Sequence, residues 1–490
     1  MRDVLKRNGF FSLLQVIVTG GVYFFLYKYL LGTVGVELLG IWSLVLVSVA
    51  SARLSELGFA SSVVKFIAKY RALGNEKKAG EVTETALVTV FSVILIVSLL
   101  AYYPLQSILG FLVPEEKLSF ALLLLPYALA ALCINTVSGV MMAGLDGCQR
   151  MDIRNILLMV GILVNLGLVL MLLPEFGFIA LAYSQLFQAI LMLLGSLIFL
   201  KRELPTFHLL AKWRKGHFLE IWQYALTFQL TSVLAMTYEP VTKGLLSYFG
   251  GLSMVGYYEM ANRMVMQVRS LIVSVNRIFV PAVAEIVERD IQELKSLYLK
   301  SYEIFFSMNL ILFSGIAAIT LPVSVVWIGE SNQLFVSFSL LLIVGWMVNS
   351  IIGSAFFFNQ GTGNLRPNLI AHASIALLNI LMGIILGFFL GGYGVVVGWV
   401  LALIVGSLPL LVRYHVENGI ALREIFPESA IRVMVVVLLA MFATTAISRS
   451  FEADGLSSLL IIVTAYGLIV IPGFFMTEIG RQMLLLVKNR

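Results

Sequence analysis

Charge is scarce in this sequence. Lys, Arg, Asp and Glu supply 12% of its 490 residues, against about 25% in a soluble domain, and the shortage excludes a water-soluble globule. Cysteine is scarcer still. Cys133 lies in an apolar run and Cys148 in a short loop, which excludes a disulfide framework and a thiolate metal site. The histidine at membrane depth, His372, sits near an inner helix end and reads as interfacial. Catalytic signatures are missing as well: there is no GxxxxGK[ST], HExxH or GxSxG, and no carboxylate cluster spaced for two metals. GNEKKAGE, Gly74 to Glu81, has lysines and glycines in the wrong order for a phosphate loop. No catalytic residue, metal ligand or bound cofactor is expected, and the chain reads neither as an enzyme nor as an ATP-driven pump. The start MRDVLKRNGFF runs into an apolar stretch without a small-residue cleavage site, so the first helix is expected to be retained.

What fills the sequence is apolar: 60% of residues are hydrophobic, and the mean hydropathy is +0.98. Runs of about 20 residues, each able to cross roughly 30 Å of hydrocarbon, occur near 9–32, 37–64, 82–103, 119–142, 155–173, 178–200, 219–248, 252–284, 301–323, 333–358, 368–389, 393–414, 429–447 and 456–476. The expected fold is an all-α polytopic membrane protein of fourteen crossings, with short outer turns at Thr33 to Gly35 and Phe249 to Gly251. Basic residues crowd one set of loops, such as Lys65 to Lys78, Arg150 to Arg154 and Lys201 to Lys215, whereas the opposite loops hold only Lys117 and Arg449. This bias places both termini in the cytoplasm. It also accounts for the net charge of +6, so nucleic acid is not expected as a partner.

The chain repeats itself. A shift of 216 positions brings Gly40 onto Gly256, Arg53 onto Arg269, Ala68 onto Ala284, Gly147 onto Gly363 and Arg150 onto Arg366 in one register. The reading is a duplication of two six-helix lobes, 1–205 and 218–420, joined by a cytoplasmic linker at 206–217 and followed by two more helices in 421–490. Six crossings return the chain to its starting side, so the repeat is parallel and a substrate site is expected between the halves. Two readings of the linker stay open: a segment lying on an anionic leaflet or an ordinary solvated loop. The last two helices either pack on one half or widen a groove for a long apolar tail.

Ionisable residues inside apolar spans are costly and mark function. They gather in Gly251 to Glu285, where Glu259 and Arg263 are i,i+4 neighbours and Arg269 and Arg277 follow; the first half has Lys28, Arg53 and Glu56. Arg53, Arg263, Arg269, Lys28 and Lys243 are the candidate anion ligands, because guanidinium and ammonium groups suit phosphate. Lys28 and Lys243 lie toward the outer ends, where snorkelling to the interface is the alternative. Trp42 and Tyr258, equivalent in the repeat, offer aromatic faces for sugar rings, as does Tyr257. Glu239, beside Pro240, is the candidate for proton or sodium coupling, together with Glu56 and Glu259; pairing with Lys243 is the alternative for Glu239.

The segments Leu38 to Tyr70 and Gly250 to Ile286, the motif G-x-Y-x-x-A-N-R (Gly256, Tyr258, Ala261, Asn262, Arg263) and the E-L-G-F turn at Glu56 to Phe59 resemble polysaccharide-export, or O-antigen (Wzx-type), flippases of the multidrug/oligosaccharidyl-lipid/polysaccharide (MOP) superfamily. The resemblance implies translocation of a lipid-linked oligosaccharide, usually on undecaprenyl pyrophosphate, by alternating access of a cationic cavity. It further implies a multi-pass protein of the cytoplasmic (inner) membrane, with membrane lipids around it and a polysaccharide polymerase and glycosyltransferases as candidate partners. A lipid II flippase fits less well, because its arginine-rich first helix has no counterpart in Gly9 to Leu31. A cation-coupled multidrug exporter is the second reading, and a polytopic glycosyltransferase the third.

Overall fold

In a computed structural model, residues 2–50, 59–208, 212–277, 291–450 and 455–476, with 283 and 286, are described, and these are helical almost throughout. The helices are α1 (Arg2–Ala50), α2 (Phe59–Ala72), α3 (Glu76–Leu112), α4 (Glu115–Gly147), α5 (Met151–Phe176), α6 (Ala180–Glu203), α7 (Lys215–Met236), α8 (Tyr238–Arg277), α9 (Ile291–Ile328), α10 (Gln333–Thr362), α11 (Arg366–Glu417), α12 (Glu428–Ser450) and α13 (Gly455–Met476). Among the described residues no strand occurs.

Nine stretches among the described residues are long and apolar enough to cross a membrane. Three of them each cover two of the expected runs, Met151–Glu203 and Arg366–Glu417 in full and Phe10–Ala50 up to residue 50 of the run at 37–64, and in each the chain breaks at a glycine of positive φ: Gly177, Gly391 and Gly35. The run at 219–248, and that at 252–284 as far as residue 277, fall in α7 and α8, whose Glu220, Glu239, Lys243, Glu259, Arg263 and Arg269 dilute their apolar character. The chain is a multi-pass membrane protein.

The repeat is visible in the backbone. Gly35 (φ 81°) breaks α1 and Gly251 (φ 80°) breaks α8, two equivalent positions in a conformation that glycine adopts without steric cost. The ends of α3 at Leu112 and α9 at Ile328 are equivalent as well. Beyond each break the same pair of contacts recurs: a Cβ at Gly40 would collide with the Leu252 carbonyl, and one at Gly256 with the equivalent Val36 carbonyl. Ser253 Oγ donates to Glu37 Oε1 at 3.4 Å between two further equivalent positions, and Glu37 also pairs with Lys117. Segments 36–40 and 252–256 therefore cross as a pseudo-symmetric pair whose approach is set by glycine.

By packing, the chain divides into Met1–Gly256 and Tyr257–Arg490. The first unit gathers α2, α3, α4, α6 and α7 around Phe59, Val63, Ile67, Val82, Leu145 and Leu200. Helix α7 belongs here because Ser62 Oγ donates to the Ile221 carbonyl (3.4 Å) and Tyr70 OH to Glu220 (2.8 Å). Burial and the Glu220 carboxylate push the Tyr70 phenol up to about 12. The early part of α8 follows, with Ser247 Oγ donating to the Leu112 carbonyl at 2.6 Å and Tyr248 stacked on Phe111. Packing thus joins residues 218–256 of the second repeat to the helices of the first.

The described part of the linker, 206–208 and 212–217, is tied to α3. His208 N–H donates to Glu84 (3.0 Å), Arg214 pairs with Glu81 and Glu84 (3.3 Å each), His217 meets Glu81 (3.2 Å) and Trp213 Nε1 donates to Thr89 (3.2 Å). These contacts dock it on α3.

In the second unit Tyr298, Tyr302, Phe306, Ile352, Phe358, Leu411 and Tyr414 form the core. The appended α12 and α13 pack on α9, where Tyr466 OH reaches the Ile311 carbonyl at 2.7 Å beside Gly315. Of the two roles open for these helices, packing on one half is the one seen.

Replacing Gly40 or Gly256 by alanine forces the crossing helices apart, and overpacking of this kind costs about 1–3 kcal/mol. Thermal unfolding in detergent is expected to show a lowered transition for each variant, while alanine at Gly21, which has open space around it, leaves it unchanged. Wild-type transitions for both crossing variants would contradict the close approach.

Candidate functional site

The candidate residues divide among three local settings and two positions outside the described residues. Arg53 and Glu56 are the latter. The side chain of Arg277 is likewise not described.

The densest setting lies on α8, in the second unit. Glu259 and Arg263 form the expected i,i+4 ion pair, Nε to Oε1 at 2.6 Å, with Glu259 buried and Arg263 about one-third exposed. Further along the helix, Arg269 places its guanidinium carbon 4.2 Å above the ring of Trp346 on α10. Trp346 in turn meets Trp399 of α11 edge-on, centroids 5.8 Å apart. An aromatic face attracts a cation without neutralising it, so the stack orients Arg269. His372 lies in the second turn of α11, half-buried and edge-on to Phe356 at 5.6 Å.

The second setting is where α7 gives way to α8. Pro240 has no N–H for the Met236 carbonyl, and α7 ends at Met236. Thr237 bridges the break, its Oγ1 donating to the Leu234 carbonyl at 2.7 Å, and Pro240 sits in the first turn of α8, where a missing donor costs little. Just beyond, Glu239 and Lys243 pair at 3.5 Å. Lys243 is 2% exposed, so it does not snorkel: its head group is buried beside the half-exposed carboxylate.

The third setting is on α1. Lys28 is exposed, on a groove between α1 and α5, and Trp42 is half-buried. Tyr258, at 1% exposure, is enclosed in α8 and presents no open face in this conformation.

Sequence reasoning missed Trp346. Position 346 maps onto Ala130 in the first repeat, so the duplication carried no trace of it, and a tryptophan inside an apolar run looks like core. Its significance comes from what lies opposite, which periodicity does not report.

Neutralising Glu259 strips the buried partner from Arg263 and leaves a cation inside the span. Losing one member of a buried pair costs about 3–5 kcal/mol, and the partial exposure of Arg263 lowers that to roughly 1–2 kcal/mol. Glu259→Gln is therefore expected to unfold earlier in detergent than Arg263→Gln combined with Glu259→Gln. Equal stability of the single and double variants would mean that the pair is not coupled.

Comparison with known proteins agrees with this architecture. The family model described as "Polysaccharide biosynthesis protein" matches residues 5–287. The chain is similar to the lipid II flippase MurJ in an inward closed conformation, with a TM-score of 0.76 and 14% identity, covering 96% of this chain and 98% of that one. An inward-facing multidrug resistance MATE family transporter of the MOP superfamily gives 0.72 and 16%, covering 83% and 98%. A MOP superfamily transporter from Pyrococcus furiosus, described by a reversed polarity of its binding pocket, gives 0.58 and 17%, covering 85% and 94%. Identities at this level establish a shared fold. No curated protein matches the sequence.

Proposed function

We propose a function on one premise: this chain belongs to the polysaccharide biosynthesis protein family. It moves a lipid-linked oligosaccharide, carried on a polyprenyl pyrophosphate such as undecaprenyl pyrophosphate, across the cytoplasmic membrane by alternating access, with both termini in the cytoplasm. Glycosyltransferases that build the oligosaccharide and a polymerase that extends it are its functional partners. No chemical step is assigned to the protein itself.

The observation that carries this reading is Arg269 seated on Trp346. A guanidinium oriented by a π face at membrane depth matches a pyrophosphate, whose oxygens accept parallel N–H groups. Arg263 adds a second guanidinium on the same helix, and Arg53 is assigned the same role as Arg269 by its equivalent position in the repeat.

The drug-exporter reading needs membrane carboxylates available to organic cations. Here Glu259 is engaged by Arg263 and Glu239 by Lys243, which favours an anionic cargo. The appended helices support the same choice, since the MurJ fold covers 96% of this chain and the multidrug transporter 83%.

Export of surface polysaccharide by cells carrying Arg269→Ala or Arg53→Ala, at verified expression, is expected to fall by at least ~10-fold, the loss of about 1.4 kcal/mol of a charge-assisted contact, and Arg269→Lys is expected to retain a fraction. Trp346→Phe, which keeps a π face, is expected to export better than Trp346→Leu. Normal export by both alanine variants would make the arginines structural. Coupling is assigned to Glu239, which pairs with the buried Lys243 just past the break between α7 and α8. Glu239→Gln is expected to abolish the response of transport to an imposed proton or sodium gradient in vesicles; an unchanged response would leave Glu239 as a structural partner of Lys243.

A further inference from the structure

A groove of about 570 Å³ runs between α1 and α5, lined by Phe25, Lys28, Tyr29, Gly32 and Thr33 on one side and by Leu166 and Leu170 on the other. The α1 residues recur every three or four positions and so form one helix face, and Leu166 and Leu170 do the same on α5. The face is open: Phe25 is 63% exposed and Leu170 44%, and Leu163 and Met171 continue the apolar surface. In a membrane-spanning helix pair such a surface is covered by lipid chains.

One feature of this wall is not apolar. Lys28 lies seven residues before the break at Gly35, which at a rise of 1.5 Å per residue puts it roughly 10 Å inside the helix end. Among the described residues no carboxylate pairs with it, and the hydroxyl of Thr33 is committed to the Tyr29 carbonyl at 2.8 Å. A compact ammonium group at the rim of a chain-wide apolar slot matches one kind of molecule, a lipid with a negatively charged phosphate head.

We propose that the α1–α5 groove is a binding site for an anionic phospholipid, its phosphate on Lys28 and one acyl chain between Phe25 and Leu166/Leu170. The site does not depend on what the protein transports. It assigns to Lys28 a lipid-binding role where a part in substrate binding was expected.

The test uses the full-length protein in vesicles. A Leu170→Trp reporter is compared with its parent, so that quenching at the groove is read over the native tryptophans, in phosphatidylcholine containing either brominated phosphatidylglycerol or brominated phosphatidylcholine. The brominated anionic lipid is expected to occupy the groove about fivefold more strongly, the preference one basic residue confers near a membrane surface. Lys28→Arg keeps this preference, Lys28→Gln removes it, and high salt weakens it in the parent reporter. Equal quenching by the two lipids, or a preference that survives both Lys28→Gln and high salt, would overturn the site.

Discussion

An ionised side chain inside hydrocarbon must be held by something, and α8 is built around that requirement. Translocation scales put a central Arg, Lys or Asp at about 2.5–3.5 kcal/mol each, and this helix has Glu239, Lys243, Glu259, Arg263 and Arg269 within 31 positions. Two opposite-charge pairs four residues apart absorb four of these charges. The fifth, Arg269, is oriented by Trp346, which is itself backed by Trp399. Among the described side chains, the helix thus holds two ion pairs and a guanidinium stacked on a π face.

Duplication supplies the second constraint. Equivalent glycines break α1 and α8 and let the following segments cross at Gly40 and Gly256. Because each glycine faces the carbonyl equivalent to the other's neighbour, a single ancestral contact serves twice. Apart from Arg53 and Arg269, the charged positions of α8 do not follow this symmetry: Lys243 maps onto Tyr27, Glu259 onto Ser43 and Arg263 onto Val47. The ion pairs therefore belong to the second repeat alone.

Much of the architecture was legible in the sequence. Long apolar runs, the turns ending at Gly35 and Gly251, the 216-residue repeat and the i,i+4 pairs are local or periodic, so composition and spacing carry them. What was not legible depends on residues far apart in the chain. Arg214 reaching Glu81 and Glu84 turns a basic linker into a docked strap, and Ser62 with Tyr70 draws α7 onto the first unit. Trp346 is another such case. The burial of Lys243 and of Tyr258 likewise follows from neighbours on other helices, which no spacing rule records.

On the proposed function, cargo recognition runs through a negatively charged diphosphate. It is tested most directly in proteoliposomes holding the purified full-length protein, by following the appearance at the far leaflet of a fluorescent polyprenyl-pyrophosphate oligosaccharide and of the same oligosaccharide on an uncharged polyprenyl ether. Recognition through the diphosphate predicts protein-dependent translocation of the pyrophosphate lipid and none of the ether. Equal translocation of both lipids would contradict it.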